Sequence, residues 1–91
     1  MNSIITDKRE CYICHSTNQL QSHHIFTGCN RKASEKYGLK VYLCMHHHTG
    51  NDGVHNGNEL WYKKLQVIAQ SKFEETHTRE EFMQVFHKNY L

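Results

Sequence analysis

The chain has 91 residues, 37% of them hydrophobic, and a formal net charge of +2. That length admits one domain with a modest core, and small domains of this kind usually need a metal or disulfide staple. No apolar run approaches the roughly 20 residues that cross a bilayer, which excludes a helical span, and so small a net charge does not by itself single out a nucleic-acid partner.

The opening run Met1-Asn2-Ser3-Ile4-Ile5-Thr6-Asp7 lacks the basic-then-apolar layout of a secretory signal. The four cysteines are therefore expected to meet a reducing cytoplasm and to bind metal rather than pair. After the knuckle Cys11-x-x-Cys14, Leu20 to Ile25 reads as a short strand. Arg31 to Tyr37 reads as a short helix stopped by Gly38, and Leu39 to Leu43 alternates as the antiparallel partner of the first strand. The second strand runs directly into Cys44 and His46-His47-His48, where a short helix or turn is expected to carry metal-binding side chains. Beyond Gly57 the apolar spacing becomes helical, with Leu60, Trp61, Leu65, Ile68, Ala69 and Phe73 on one stripe over residues 58–76. Thr78 followed by Glu81 forms a capping box for a second helix, whose apolar face is Phe82, Val85, Phe86 and Tyr90. The expected architecture is α+β: one domain over residues 1–91, with a metal-bearing core at 11–57 and a helical extension at 58–91.

Cys11, Cys14, Cys44 and His47 have the order and spacing of a Cys₃His structural zinc site, one knuckle before the hairpin and one after it. His46 competes for the fourth place because the three consecutive histidines leave the register open. Cys29 has no partner at ligand spacing and reads as a free thiol, His15 as an exposed side chain, and His77 and His87 as residues without a site. Histidine occupies nine of the 91 positions, and a structural zinc uses one of them. His23, His48 and His55 can hold a second metal with open coordination positions, and His24 beside it can serve as general base. Neutral imidazole, with a pKa of about 6.5, suits proton abstraction from water near neutral pH. Arg31, Lys32, Lys36 and Lys40, opposed locally only by Glu35, are candidate phosphate contacts or simply a solvated face.

Through Ser22-His23-His24-Ile25 and Leu43-Cys44-Met45-His46-His47-His48 the sequence resembles the HNH endonucleases, the ββα-metal group. The stretch from Cys44 through Gly50, Gly53 and His55 to Gly57 is similar, more closely, to the phage recombination-enhancement nucleases that act with RecA. The resemblance covers about half of the chain. It implies a zinc-stapled ββα-metal, treble-clef-like fold, to which the spacing beyond Gly57 adds two C-terminal helices, and hydrolysis of DNA phosphodiester bonds by a phage or prophage enzyme of the host cytoplasm. The implied setting is recombination, replication or packaging, with RecA or another phage protein as partner. Residue by residue, it makes His23, His48 and His55 the ligands of a catalytic Mg²⁺, Mn²⁺ or other divalent metal, His24 the general base, and Cys11, Cys14, Cys44 and His47 the zinc ligands. Leu39 stands where the HNH pattern has its middle Asn, so Asn30 or a backbone carbonyl is expected to orient His24, with Lys40 free to contact phosphate. An ideal strand sends His23 and His24 to opposite faces, so both serve one site only at a twisted strand end, and their roles can be exchanged.

The competing reading is a non-catalytic, zinc-stabilised module that binds DNA or protein, for which His24 and His55 would have no use. A cysteine-dependent hydrolase or redox protein built on Cys11-x-x-Cys14 is a third reading, disfavoured because that motif does not follow a strand of a βαβ unit.

Overall fold

A computed structural model describes residues 2–91. Strand β1 (Leu20–His24) is followed by a single 3₁₀ turn (Gly28–Asn30), helix α1 (Arg31–Lys36), strand β2 (Lys40–Cys44) and the one-turn helix α2 (Met45–His48). Helices α3 (Glu59–Phe73) and α4 (Arg79–Phe86) complete the chain. The architecture is α+β, and the two strands pair antiparallel with Leu20 opposite Cys44, His23 opposite Val41 and His24 opposite Lys40. None of the helices is long and apolar enough to cross a membrane among the described residues.

The order α1–turn–β2 follows from local chemistry. Gly38 takes the left-handed conformation (φ 70°) that ends α1, and a Cβ there would lie 2.9 Å from the carbonyl oxygen of Asn2, so this turn needs glycine. Ser34, wholly buried in α1, accepts from the Phe26 N–H and donates to the Leu39 carbonyl. It thereby ties the helix to the chain just beyond β1 and just before β2. Strand alternation then sorts the side chains: Gln21 and His23 share one face with Leu43 and Val41, whereas His24 shares the other with Lys40.

The core joins Ile25, Leu39, Val41 and Leu43 from the hairpin to Leu65, Ala69 and Phe73 of α3 and Phe82 and Phe86 of α4. Phe26 is its aromatic hinge, with ring centroids 4.7 Å from Phe86, 5.0 Å from Tyr90 and 5.7 Å from Phe82. Helix α4 starts at the expected capping box, Thr78 and Glu81 bonding each other's backbone N–H groups. Helix α3 stops at Phe73, three residues before the expected end, and short-range bonds from Glu75 to Lys72 and from Thr76 to Phe73 carry the chain on to α4. Its buried positions are Leu65, Ala69, Gln70 and Phe73, while Leu60, expected in the apolar stripe, is 77% exposed. Gln70 is buried because it is satisfied: its amide donates to Glu74 and Asn89 and accepts from the Tyr90 N–H, clamping the C-terminal residues onto α3.

Candidate metal centre

Two groups of metal-ligating side chains lie at the end of the hairpin. The first is Cys11, Cys14, Cys44 and His47. Cys14 Sγ lies 3.7 Å from Cys44 Sγ, and His47 Nδ1 lies 3.3 Å from Cys44 Sγ and 3.9 Å from Cys11 Sγ. A tetrahedral zinc with ordinary bond lengths separates its sulfurs by about 3.8 Å and its sulfur and nitrogen by about 3.5 Å. The tetrad therefore fits such an ion without rearrangement. The same sulfur separation is far beyond the roughly 2.05 Å of a disulfide, and the four cysteines are free thiols.

Backbone N–H groups favour the charged form of Cys11 and oppose the effect of burial at Cys14. Cys11 is buried, which disfavours its charge, but N–H groups of Cys14, Cys44 and Ile13 aimed at its sulfur outweigh this and lower its pKa. At Cys14 the Ser16 N–H lowers the pKa, and burial with the neighbouring Cys11 and Cys44 sulfurs raises it further than that, for a net upward shift. Three thiols crowded together resist joint ionisation unless a cation sits between them. The knuckle turn closes with the His15 N–H on the Cys11 carbonyl and the Cys11 N–H on the Ser16 carbonyl. This holds His15 at φ 66°, an unfavourable conformation for a residue with a Cβ. Its side chain is exposed, as expected, and lies 3.6 Å from Glu10.

Helix geometry settles the choice between His46 and His47. Cys44 caps α2, and His47, three residues on, returns to its side of the turn. His46 points outward and pairs with Asp52, Nε2 to Oδ2, at 2.9 Å. His46, His47 and Asp52 also lie within ligand distance of one another, but this exposed group shares His47 with the thiols.

The second group is His23, His48 and His55, whose ligand atoms lie within 4.8 Å of one another. Their ring centroids are 4.8 to 5.3 Å apart. His23 forms a buried floor, 2% exposed, and its Nδ1 has no hydrogen-bond partner among the described residues. His48 is half-buried and His55 exposed, so the group opens to solvent on one side. Burial first, then the charges of His48, His55 and His24, push the His23 pKa down to about 3, and burial with His55 lowers that of His48. Both rings are accordingly neutral at physiological pH and offer lone pairs, the form that binds metal.

Two features not read from the sequence position these rings. The Gln21 side-chain oxygen accepts from His48 Nδ1–H at 2.6 Å, which leaves Nε2 as the donor atom of that ring. The signal was present, because Gln21 lies two residues before His23 on the same strand face. The loop after α2 folds back so that His55 N–H bonds the His48 carbonyl and Val54 N–H the His47 carbonyl. Gly53 permits this approach: a Cβ there would lie 2.6 Å from the His48 carbonyl oxygen.

His24 does not join the three other histidines. It lies on the opposite face of β1, half-buried, with Nε2 3.4 Å from Glu35 Oε2. Asn30, an expected orienting group, donates instead to the Phe86 carbonyl. Lys40, expected as a phosphate contact, is buried and paired with Glu35, whereas Arg31, Lys32 and Lys36 are exposed on α1. Cys29 is exposed, His77 stacks on Phe73 at 4.3 Å, and His87 occupies the left-handed C-cap of α4. Neither a family model nor a curated protein nor a solved structure matches the chain.

Proposed function

We propose that this protein is a metal-dependent DNA endonuclease of the HNH, or ββα-metal, type, acting in the cytoplasm of a host cell on phage or prophage business such as recombination, replication or packaging. The observation that carries the reading is the three-histidine group. A single-zinc structural domain has no use for a second, solvent-open set of imidazoles built on a buried His23, and such a set suits a metal that keeps positions free for substrate.

His23, His48 and His55 would hold the second metal, and the fit rests on their mutual distances and on the unpartnered Nδ1 of His23. When bound, a divalent ion there supplies Lewis-acid stabilisation to a phosphate oxygen and to the departing 3′-oxygen. Three imidazoles form a softer site than carboxylates, so Mn²⁺ or another transition metal competes with Mg²⁺. Gln21 fixes the donor nitrogen of His48, and the Gly53 turn fixes His55. His24 lies on the other face of β1 from His23 but is the last residue of that strand, and from the strand's end it would be the base that takes a proton from water. Arg31, Lys32 and Lys36 are the exposed cations that would meet the DNA backbone. A phage recombination protein or RecA is the partner class this reading brings with it.

The test is conversion of supercoiled plasmid to open-circular and linear forms by zinc-loaded protein with Mg²⁺ or Mn²⁺, alongside His24→Ala and His55→Ala. Metal-dependent nicking that both substitutions abolish, with zinc content unchanged, is the expected result. Cutting that persists without His55 would refute the site, and absence of cutting with RecA filaments as well as on bare plasmid would favour a binding module.

A further inference from the structure

We infer that Glu35 is a positioning residue for His24, the carboxylate that decides which ring nitrogen of that histidine is free to take a proton. The inference rests on the nuclease reading above. His24 and Lys40 are direct cross-strand partners, so their side chains stand on one face of the hairpin. Ser34 pins α1 to the chain beside both strands, and the next residue, Glu35, places a single carboxylate oxygen against both Lys40 Nζ and His24 Nε2. Lys40 is held buried in this contact and His24 is largely enclosed, its side chain 13% exposed.

The chemistry follows from what each group can do. The hydrogen bond from Lys40, with its charge and that of His24, holds the Glu35 carboxyl below the usual range, so Glu35 is an acceptor only. A ring nitrogen facing an acceptor carries the hydrogen, which makes His24 the Nε2–H tautomer and leaves the lone pair on Nδ1. At 3.4 Å the contact is longer than a formed hydrogen bond, as is common for catalytic pairs before substrate binds. In hydrolysis, an O–H bond of water breaks towards Nδ1 as the new P–O bond forms and the bond to the leaving oxygen breaks. The leaving oxygen takes a proton from solvent, and His24, imidazolium beside the carboxylate until then, returns its proton to solvent. Lys40 neutralises Glu35 and keeps the carboxylate from swinging out to water.

Long-range ¹H–¹⁵N spectra of the imidazole rings report the tautomer directly, in zinc-loaded protein at about pH 8, above the ordinary imidazole range. The variants are Glu35→Gln, which keeps an acceptor oxygen, and the double variant Glu35→Ala/Lys40→Met, which avoids leaving a buried cation unpaired. Expected are Nε2–H at His24 in the wild type and in Glu35→Gln, and a tautomer mixture in the double variant. Nicking should show kcat lowered about 10-fold or more in the double variant with KM little changed, and a smaller loss in Glu35→Gln. An Nδ1–H wild type would overturn the inference even if the double variant failed to fold, as would a folded double variant with unchanged tautomer. If His24→Ala abolishes nicking but the double variant cuts like the wild type, the positioning role falls and the nuclease reading stands. The expected tautomer change in a protein that never cuts DNA would retain the placement of His24 by Glu35 and sink the nuclease reading.

Discussion

Acid should unfold this protein in part through His23. Burial, aided by His48 and His55, pushes its pKa down to about 3 in the folded chain, whereas an unfolded chain presents imidazole at about 6.5. Between these values the unfolded state binds a proton that the folded state refuses. The contribution to stability is therefore complete above about pH 6.5 and is lost as the pH falls towards about 3. At about 1.4 kcal/mol per pKa unit the full loss approaches 5 kcal/mol, of which about 2.5 kcal/mol falls between about pH 6 and pH 4. That is a large share of the roughly 5–14 kcal/mol that a chain of this length commands. The assay is urea unfolding across this pH range with one equivalent of zinc and no second metal, for the wild type and His23→Leu. Leucine is apolar, fills much of the imidazole's space and cannot titrate. Zinc release and the protonation of other groups affect both proteins, so the difference between the curves isolates His23. The wild type should lose about 2.5 kcal/mol more than the variant over the interval. Parallel curves would refute the reasoning, because they would mean that His23 accepts its proton without unfolding.

Removing zinc with a chelator at neutral pH should abolish the cooperative urea transition, since a structural zinc site supplies apparent binding energies of about 10 kcal/mol; far-UV circular dichroism and a zinc indicator would follow it, and a chelated chain that still melts cooperatively would contradict the tetrad's role. His15→Gly should raise stability by about 1 kcal/mol, because glycine adopts the φ of 66° without the Cβ penalty; no gain in the urea midpoint would count against strain there. Gly53→Ala should cost about 2 kcal/mol or more, since its methyl would press on the His48 carbonyl and the loop must move; unaltered stability and Mn²⁺ affinity would show that the loop gives way freely. Gln21→Leu should weaken Mn²⁺ binding by the three histidines about 10- to 100-fold with zinc content unchanged, as read by calorimetry on zinc-loaded protein.

The clustering of Cys11, Cys14, Cys44 and His47 was legible because thiolate–imidazole spacing around a hairpin is nearly sufficient to define it. What spacing left open, His46 or His47, was decided by the three-residue return from Cys44 around α2. The second group was legible only as surplus histidines, and their convergence depends on the hairpin register that sets His23 opposite Val41. The sheet face also explains what was missed. Gln21 and Glu35 are polar residues without a motif; Gln21 acquires its partner only once β1 and α2 are in place, and Glu35 only once β1, β2 and α1 are. The helical stripe of α3 was read correctly at Leu65, Ala69 and Phe73. It failed at Leu60, which lies outside the packed core, and at Gln70, whose burial depends on Glu74, Asn89 and Tyr90. Periodicity records which residues share a face, and the partner that covers each turn of that face comes from elsewhere in the chain.

The two metal groups meet in α2, and this has a consequence for reading mutants. Four residues are too few to form a helix unaided. Met45–His48 is held by the Thr49 and Gly50 N–H groups on the Met45 carbonyl and by His47 among the thiols. Successive residues on a helix diverge by about 100°, so with His47 aimed at the thiols, the direction of His48 is already set. On the other side, β2 ends at Cys44, and its pairing with β1 sets His23. The buried floor and one wall of the three-histidine group thus hang from the tetrad, and the remaining wall, His55, is anchored to the His48 carbonyl. Geometry at the second group is inherited from the first. If the proposed nuclease activity is found, its loss on substituting Cys11, Cys14, Cys44 or His47 would consequently report the displacement of His48 and His23, and only substitutions at His24, His48 or His55 that leave zinc content intact would test the proposed chemistry.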